Sequence, residues 1–273
     1  MSILTALQEL PLKFNGSDWF LFDNESCLYK QISEFTLRQQ IRRKFKDAYL
    51  SDVLLSISEH KINIADKCNF NIEAWKIPMN DANFLIGKRT TEDLFTETIR
   101  AHRLETINNT YYKIIMNYFN TLLSGDVIAI DNLFSCMRAI FRKEPSKHNV
   151  MIFLSGSASG KSTFCCIMKA LLGHYYVSID TYNVYDTHHR LQTITPLLVV
   201  SERNIIKSQL QKDTLNLECA SLWFFLESLP QMESYMYLRS TIIVSNTRFT
   251  QGPDILSRMT QPDVLNTLYT MLI

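Results

Sequence analysis

The chain has 273 residues, of which 46% are hydrophobic and 20% are charged. It can therefore bury a sizeable core, in one large domain or two smaller ones, and long disordered stretches are not expected. The formal net charge of +1 excludes bulk attraction to nucleic acid, so any such contact must come from local patches. No run approaches the roughly 18 apolar residues that span a bilayer. The start lacks the pattern of a signal peptide, so we expect no membrane partner.

The cysteines point to an intracellular protein. There are six of them, and none forms a C-x-x-C pair. We interpret them as reduced thiols, not as disulfides or zinc ligands. The adjacent His188 and His189 have poor geometry for ligating one metal and are expected to be surface residues.

The first half of the chain is expected to be mainly helical. The stretch DWFLFD at 18–23 is a short strand candidate, and helical periodicity follows over 29–60, 89–126 and 129–143. The first of these helices carries a basic cluster, which is either a solvated face or a contact for backbone phosphates. The cluster consists of Arg38, Arg42, Arg43, Lys44 and Lys46.

A polar segment with a proline, EPSKHN at 144–149, is the best candidate for a domain boundary. The pattern after it is that of an α/β unit. We therefore predict a mainly helical N-terminal region over 1–145 and an α/β core with a parallel sheet over 146–273.

The core opens on a candidate phosphate-binding loop. The apolar run VMIFLS at 150–155 suits a buried parallel strand, and STFCCIMKALLG at 162–173 suits a helix. A strand, a glycine loop and a helix are the context that a P-loop requires. The predicted nucleotide-binding residues are Gly156, Ser157, Ala158, Ser159, Gly160, Lys161, Ser162 and Thr163.

The residue types in this loop match its chemistry. Backbone N–H groups of the loop and of the helix N-terminus would point at phosphate oxygens, and Gly160 lets the backbone pass close to them. Lys161 would place its charge at the β and γ phosphates of ATP, and the Ser162 hydroxyl would ligate Mg²⁺. The pattern G-x-x-x-x-G-K-[ST] would put its first glycine at position 155, where this chain has Ser155 followed by Gly156. We expect a small serine and a glycine to make the same turn.

Polar residues at the ends of later strands supply the other parts of an ATPase. Glu202 is the first acid after the buried run at 197–200 and is predicted to hold Mg²⁺ and orient the attacking water. Asn246 ends the β-branched run STIIVS at 240–245, where an amide can touch the γ-phosphate and that water. Arg258 is a candidate to reach a neighbouring subunit's γ-phosphate. A loop carboxylate, a turn asparagine and a surface arginine are the respective alternatives.

The order of these parts resembles superfamily 3 helicases, the replicative ATPases of DNA viruses and some phages. The chain looks closest to the poxvirus and phage primase–helicase branch. The matching stretches are GKSTFCCIMKALLGHYYVSID at 160–180, LLVVSERN at 197–204 and STIIVSNTRF at 240–249. They put Lys161, Glu202 and Asn246 at the positions of the family's motifs A, B and C, and Arg258 at that of its arginine finger.

The resemblance implies an ATPase core of the AAA+ kind, assembled as a hexameric ring with ATP and Mg²⁺ between subunits. Single-stranded DNA would thread the channel, gripped by an element within 205–239, where Lys207 and Lys212 are the available cations. A separate primase or polymerase would be a partner, because no acidic cluster typical of a primase precedes the core. The location would be the host cytoplasm or nucleus. No further C-terminal domain is expected.

Three functions are compatible with these residues. The first is an ATP-dependent DNA helicase or translocase of viral or phage-like replication. The second is a degenerate, ATP-binding scaffold subunit, favoured by the absence of glycine from 205–239 and by the short stretch after Arg258. The third is a small-molecule P-loop kinase, which ranks low because the segment 181–200 offers Arg190 as its only arginine for a lid.

Overall fold

The described part of the chain forms two compact units. The computed structural model describes residues 7, 10–15, 17–45, 49–63, 98–99, 101–141, 147–179, 197–201, 221–229, 240–246, 248–249 and 254–273. The first unit holds the described residues up to Asn63, and the second unit holds those from Thr98 onward.

Where the structure describes residues 10–63, the first unit has a small antiparallel sheet followed by two helices. Strands β1 (Leu12–Phe14), β2 (Trp19–Asp23) and β3 (Leu28–Ile32) pair in that order, and helices α1 (Glu34–Lys44) and α2 (Leu50–Asn63) follow. The expected strand at 18–23 is confirmed as β2. The expected helix from residue 29 is wrong at its start, because the residues up to Ile32 pair with β2. The helix begins only after Ser33, whose Oγ accepts a hydrogen bond from the N–H of Thr36 at 3.1 Å.

The second unit is built on a parallel sheet of five strands. These are β4 (Val150–Ser155), β5 (Tyr176–Ile179), β6 (Leu198–Ser201), β7 (Ser221–Leu226) and β8 (Thr241–Ser245). Their order across the sheet is β5-β6-β7-β4-β8, and all neighbours run parallel. The predicted α/β class with a parallel sheet is therefore confirmed.

Five helices accompany this sheet in the described residues. They are α3 (Asn109–Leu122), α4 (Val127–Ala139), α5 (Lys161–Leu172), α6 (Asp254–Met259) and α7 (Pro262–Leu272). Their apolar faces share one core with one face of the sheet, where Phe164 of α5 stacks on Trp223 of β7 at 5.6 Å between ring centroids. Within the described part of the chain, no helix combines the length and the apolar character needed to cross a bilayer.

The helices before the sheet belong to its unit. Both α3 and α4 bury their apolar residues in the core that contains α5 and the sheet. The last helix also holds the upstream chain, because the backbone N–H of His102 donates to Asn266 Oδ1 at 3.0 Å and that of Leu104 donates to Thr270 Oγ1 at 2.9 Å. Helices α3 and α4 therefore belong to the unit that holds the described residues from Thr98 onward, and the predicted boundary at 145/146 stays a prediction.

Strand β7 was not predicted. It lies inside the interval 205–239, which the family resemblance had assigned to DNA gripping, and all six of its residues are buried. A run as apolar as SLWFFL is typical of a central parallel strand, so the signal was present in the sequence. The predicted residues Glu202, Lys207 and Lys212 lie outside the described residues.

Candidate nucleotide site

The glycine loop, residues 156–160, connects the end of β4 to the start of α5. Gly160 is the N-cap of α5 and has left-handed backbone angles, with φ 88° and ψ 5°. A glycine has no side chain with which to cap the helix, so the first N–H groups of α5 lack the partner that a serine or aspartate would give. Such a helix terminus attracts an anion through its free donors and its dipole.

The side chains around the loop hold it against the end of β4. The Lys161 ammonium donates to the backbone carbonyl of Ser155 at 2.9 Å. The hydroxyls of Ser155 and Ser159 lie 2.9 Å apart, and both residues are buried, at 5% and 2% exposure. Ser155, at the place where the usual pattern has a glycine, thus ties the two ends of the loop together.

The two glycines of the loop differ in what the backbone requires. A methyl group built on Gly160 would lie 2.9 Å from the ring of Phe249 and 3.2 Å from Leu122 Cδ1, and its φ is positive. The φ of Gly156 is not in the left-handed region, and its methyl group would meet no described atom within 4 Å. Ala158 adopts φ 57°, which is uncommon for a residue with a side chain. Ala158 and Gly160 are therefore the loop residues that must adopt left-handed backbone angles.

Phe249 fixes the loop from the side of β8. Its backbone N–H donates to the carbonyl of Ala158 at 2.9 Å, and its ring lies edge-on to Tyr118 of α3 at 5.6 Å between centroids. Burial raises the pKa of Tyr118 well above its ordinary range, so the phenol stays neutral. A pocket of about 290 Å³ opens beside these groups. It is lined by Ala158, Ser159, Gly160, Lys161, Ser162, Thr163 and Phe249.

Two polar strand ends flank the loop. In β8, Ser245 pairs with Ser155, so Asn246 follows at the level where the loop begins. On the other side of β4, Leu226 of β7 pairs with Leu154, so Glu227 follows level with Ser155. Both Asn246 and Glu227 are exposed. The structure therefore brings the predicted Asn246 beside the loop and adds an acid, Glu227, that the sequence argument missed.

Three further predicted residues lie on helices α5 and α6. Ser162 is exposed and Thr163 is half-buried in the first turn of α5. Arg258 is exposed in the last turn of α6, which packs against α5. Its action on another subunit stays a prediction.

The candidate ligand for Mg²⁺ at this site is a hydroxyl group. No group of three or more His, Cys, Asp or Glu side chains is found in the described ranges. A magnesium ion bound here would be held by one hydroxyl and by substrate phosphates, because Mg²⁺ usually keeps several waters and is not caged by protein alone. Ser162, an exposed hydroxyl beside the pocket, is the residue that would hold it.

Comparisons with known proteins show the fold. No protein-family model matches the chain, and no curated protein sequence matches it either. Among solved structures, the A-form apo structure of the NrS-1 C-terminal region is similar, with a TM-score of 0.59 and 13% identity over 99% of this chain and 68% of that one. A second A-form apo structure of this region gives 0.57 and 11% over 98% and 67%, and a further apo structure gives 0.55 and 12% over 99% and 68%. At this identity the likeness is one of fold, and it extends over both units.

Proposed function

We propose that this chain is an ATP-dependent DNA translocase or helicase of the superfamily 3 kind, working in viral or phage-like DNA replication. The observation that carries the proposal is the loop between β4 and α5, with left-handed Gly160, an uncapped helix N-terminus and Lys161 beside a pocket. These groups suit a triphosphate, because backbone N–H groups and one ammonium are what P-loops offer to phosphate oxygens.

The roles of the residues follow from their chemistry. Lys161 leaves the Ser155 carbonyl and binds the β and γ phosphates, and Ser162 holds the Mg²⁺ that neutralises phosphate charge. Asn246 contacts the γ-phosphate from the β8 side, and Glu202 provides an acid after β6. Arg258 acts across the interface of a homo-hexamer, and Lys207 and Lys212 contact single-stranded DNA in its channel. The protein works inside the host cell, in cytoplasm or nucleus, with a separate primase or polymerase.

The test is the rate of ATP hydrolysis by the purified chain, with and without single-stranded DNA. We expect magnesium-dependent turnover that DNA stimulates and that Lys161→Ala abolishes. The matched control is Lys169→Ala, which removes an exposed lysine from the other end of the same helix and should leave turnover unchanged. Absence of both ATP binding and turnover in the wild-type chain would contradict the proposal.

A second candidate is an ATP-binding scaffold subunit without turnover. It is favoured by β7, whose six buried residues occupy part of the interval in which a DNA-gripping element was expected. The two candidates separate in one experiment with a fluorescent ATP analogue. Binding together with DNA-stimulated hydrolysis supports the translocase, and binding without hydrolysis supports the scaffold.

A further inference from the structure

We propose that Glu227 is the general base that activates the attacking water in ATP hydrolysis at this site. The inference rests on the proposed ATPase function and adds a catalytic residue to it. At the end of β6 the sequence has Ser201 followed by Glu202, so the usual pair of adjacent acids is reduced to one. The sheet order supplies the second acid from a strand that sequence reasoning had not identified.

The position of β7 in the sheet puts its end close to the glycine loop. This strand lies between β4, which leads into the glycine loop, and β6, which leads to Glu202. Adjacent strands are about 4.8 Å apart, so β7 is one strand spacing from β4, and β6 is two spacings away, roughly 10 Å. An acid at the end of β7 therefore starts closer to the phosphates than an acid at the end of β6.

The register along the strands puts Glu227 level with the start of the loop. Ser201, the last residue of β6, pairs with Phe224, and β7 continues to Leu226. Glu227 is thus three positions beyond the level at which β6 ends and is level with Ser155. The carboxyl ends of parallel strands are where open α/β sheets bind ligands. Glu227 lies at that edge, on the strand next to the loop.

Strand β7 packs against α5 on one face of the sheet. Alternate residues of β7, Trp223 and Phe225, contact Phe164 of α5 at 5.6 Å and 6.2 Å between ring centroids. These contacts put the α5 side of the sheet on the same face as Trp223 and Phe225, and Glu227 is the first residue after the strand ends at Leu226. Glu227 is exposed, so its carboxylate is solvated and accessible to a water molecule without a prior desolvation cost.

Water and ATP are the only reactants in the proposed step. The oxygen of a water molecule forms a bond to the γ-phosphorus of ATP, and the bond from that phosphorus to the β–γ bridging oxygen breaks. ADP leaves with the bridging oxygen and its electron pair. The water proton passes to the Glu227 carboxylate and then to solvent, so the products are ADP, inorganic phosphate and a proton. Lys161 and the α5 N-terminus stabilise the charge on the phosphate oxygens.

The experiment compares Glu227→Gln with the wild-type chain and with Asp131→Asn. Asp131 is an exposed acid of α4 in the same unit, so this control also removes one negative charge. Three quantities are measured for each protein: affinity for a fluorescent ATP analogue with Mg²⁺, single-turnover hydrolysis of ATP over a range of pH, and thermal unfolding temperature.

We expect Glu227→Gln to bind the analogue within about threefold of wild type and to unfold at the same temperature. Its hydrolysis should fall by roughly 100-fold or more, as for the loss of a general base. The dependence of the hydrolysis rate on pH should differ between the wild-type chain and the variant. Asp131→Asn should match wild type in all three measurements.

The experiment distinguishes failure of the role proposed for Glu227 from failure of the proposed ATPase function. If wild type hydrolyses ATP and Glu227→Gln does so at a similar rate with the same pH profile, this inference is overturned and the proposed function stands. A second outcome is a variant that loses activity and also binds the ATP analogue more weakly or unfolds at a lower temperature. In that case Glu227 is a binding or structural residue and not the base. If wild type neither binds nor hydrolyses ATP, the proposed function fails and this inference fails with it.

Discussion

The two ends of the glycine loop differ in backbone conformation and in packing. The leading end, Ser155 and Gly156, leaves the strand with ordinary backbone angles and is held by the hydroxyl contact to Ser159. The trailing end, Ala158 to Lys161, contains both left-handed residues of the loop and packs under Phe249. A serine can therefore replace the leading glycine, because no positive φ is required there. Four substitutions test this asymmetry.

The largest expected effect is that of Lys161→Ala at the trailing end. Removal of the ammonium deletes charge-assisted hydrogen bonds to phosphate, each contributing about 1.5–3 kcal/mol. We expect nucleotide affinity to fall by roughly 10- to 100-fold. Isothermal titration with ATP measures it, with Lys169→Ala as the matched control. Unchanged affinity in Lys161→Ala would place the phosphates elsewhere.

Gly160→Ala should be the next most harmful change. It forces a side chain into a left-handed conformation, which costs about 1–2 kcal/mol, and it brings a methyl group within 2.9 Å of the Phe249 ring. For a unit of this size we expect the unfolding temperature to fall by roughly 2–8 °C. Gly125→Ala separates the two causes, because Gly125 also has a positive φ, of 73°, with no described atom within 4 Å of its built methyl group. Equal losses in both variants would show that the Phe249 contact adds nothing.

Ser159→Ala should have a moderate effect. It leaves the buried Ser155 hydroxyl without its partner, which costs about 1–3 kcal/mol. The double variant Ser155→Ala/Ser159→Ala removes both polar groups and should be less destabilised than the sum of the two single variants. Chemical denaturation of all four proteins gives the coupling free energy. Strict additivity would mean that the two hydroxyls do not interact.

Gly156→Ala should have the smallest effect. Its backbone is not left-handed and its surroundings are open, so alanine fits without strain. Because alanine restricts the unfolded chain more than glycine does, stability should stay the same or rise by about 0.4–1 kcal/mol. Thermal unfolding and ATP titration measure the result. A loss as large as that of Gly160→Ala would remove the asymmetry between the two ends.

The sequence by itself determined the local parts of this protein. The strand, glycine loop and helix at 150–172 were predicted with nearly correct limits, because each depends on apolar periodicity and on glycine placement within a few neighbouring residues. The same reasoning placed the β-branched strand that ends before Asn246. It failed at residues 29–32, where pairing with β2 outweighs the helical periodicity that continues beyond Ser33.

Only the tertiary structure decided which strand ends meet. The position of β7 between β4 and β6 joins segments about 70 residues apart in sequence, and no local pattern specifies such a neighbour. That order brings Glu227 beside the loop, and the chain after β8 brings Phe249 onto Gly160. It also assigns α3 and α4 to the unit of the sheet, because their apolar faces are buried there. Burial is a property of the assembled chain, so it was decided by packing and not by the segments alone.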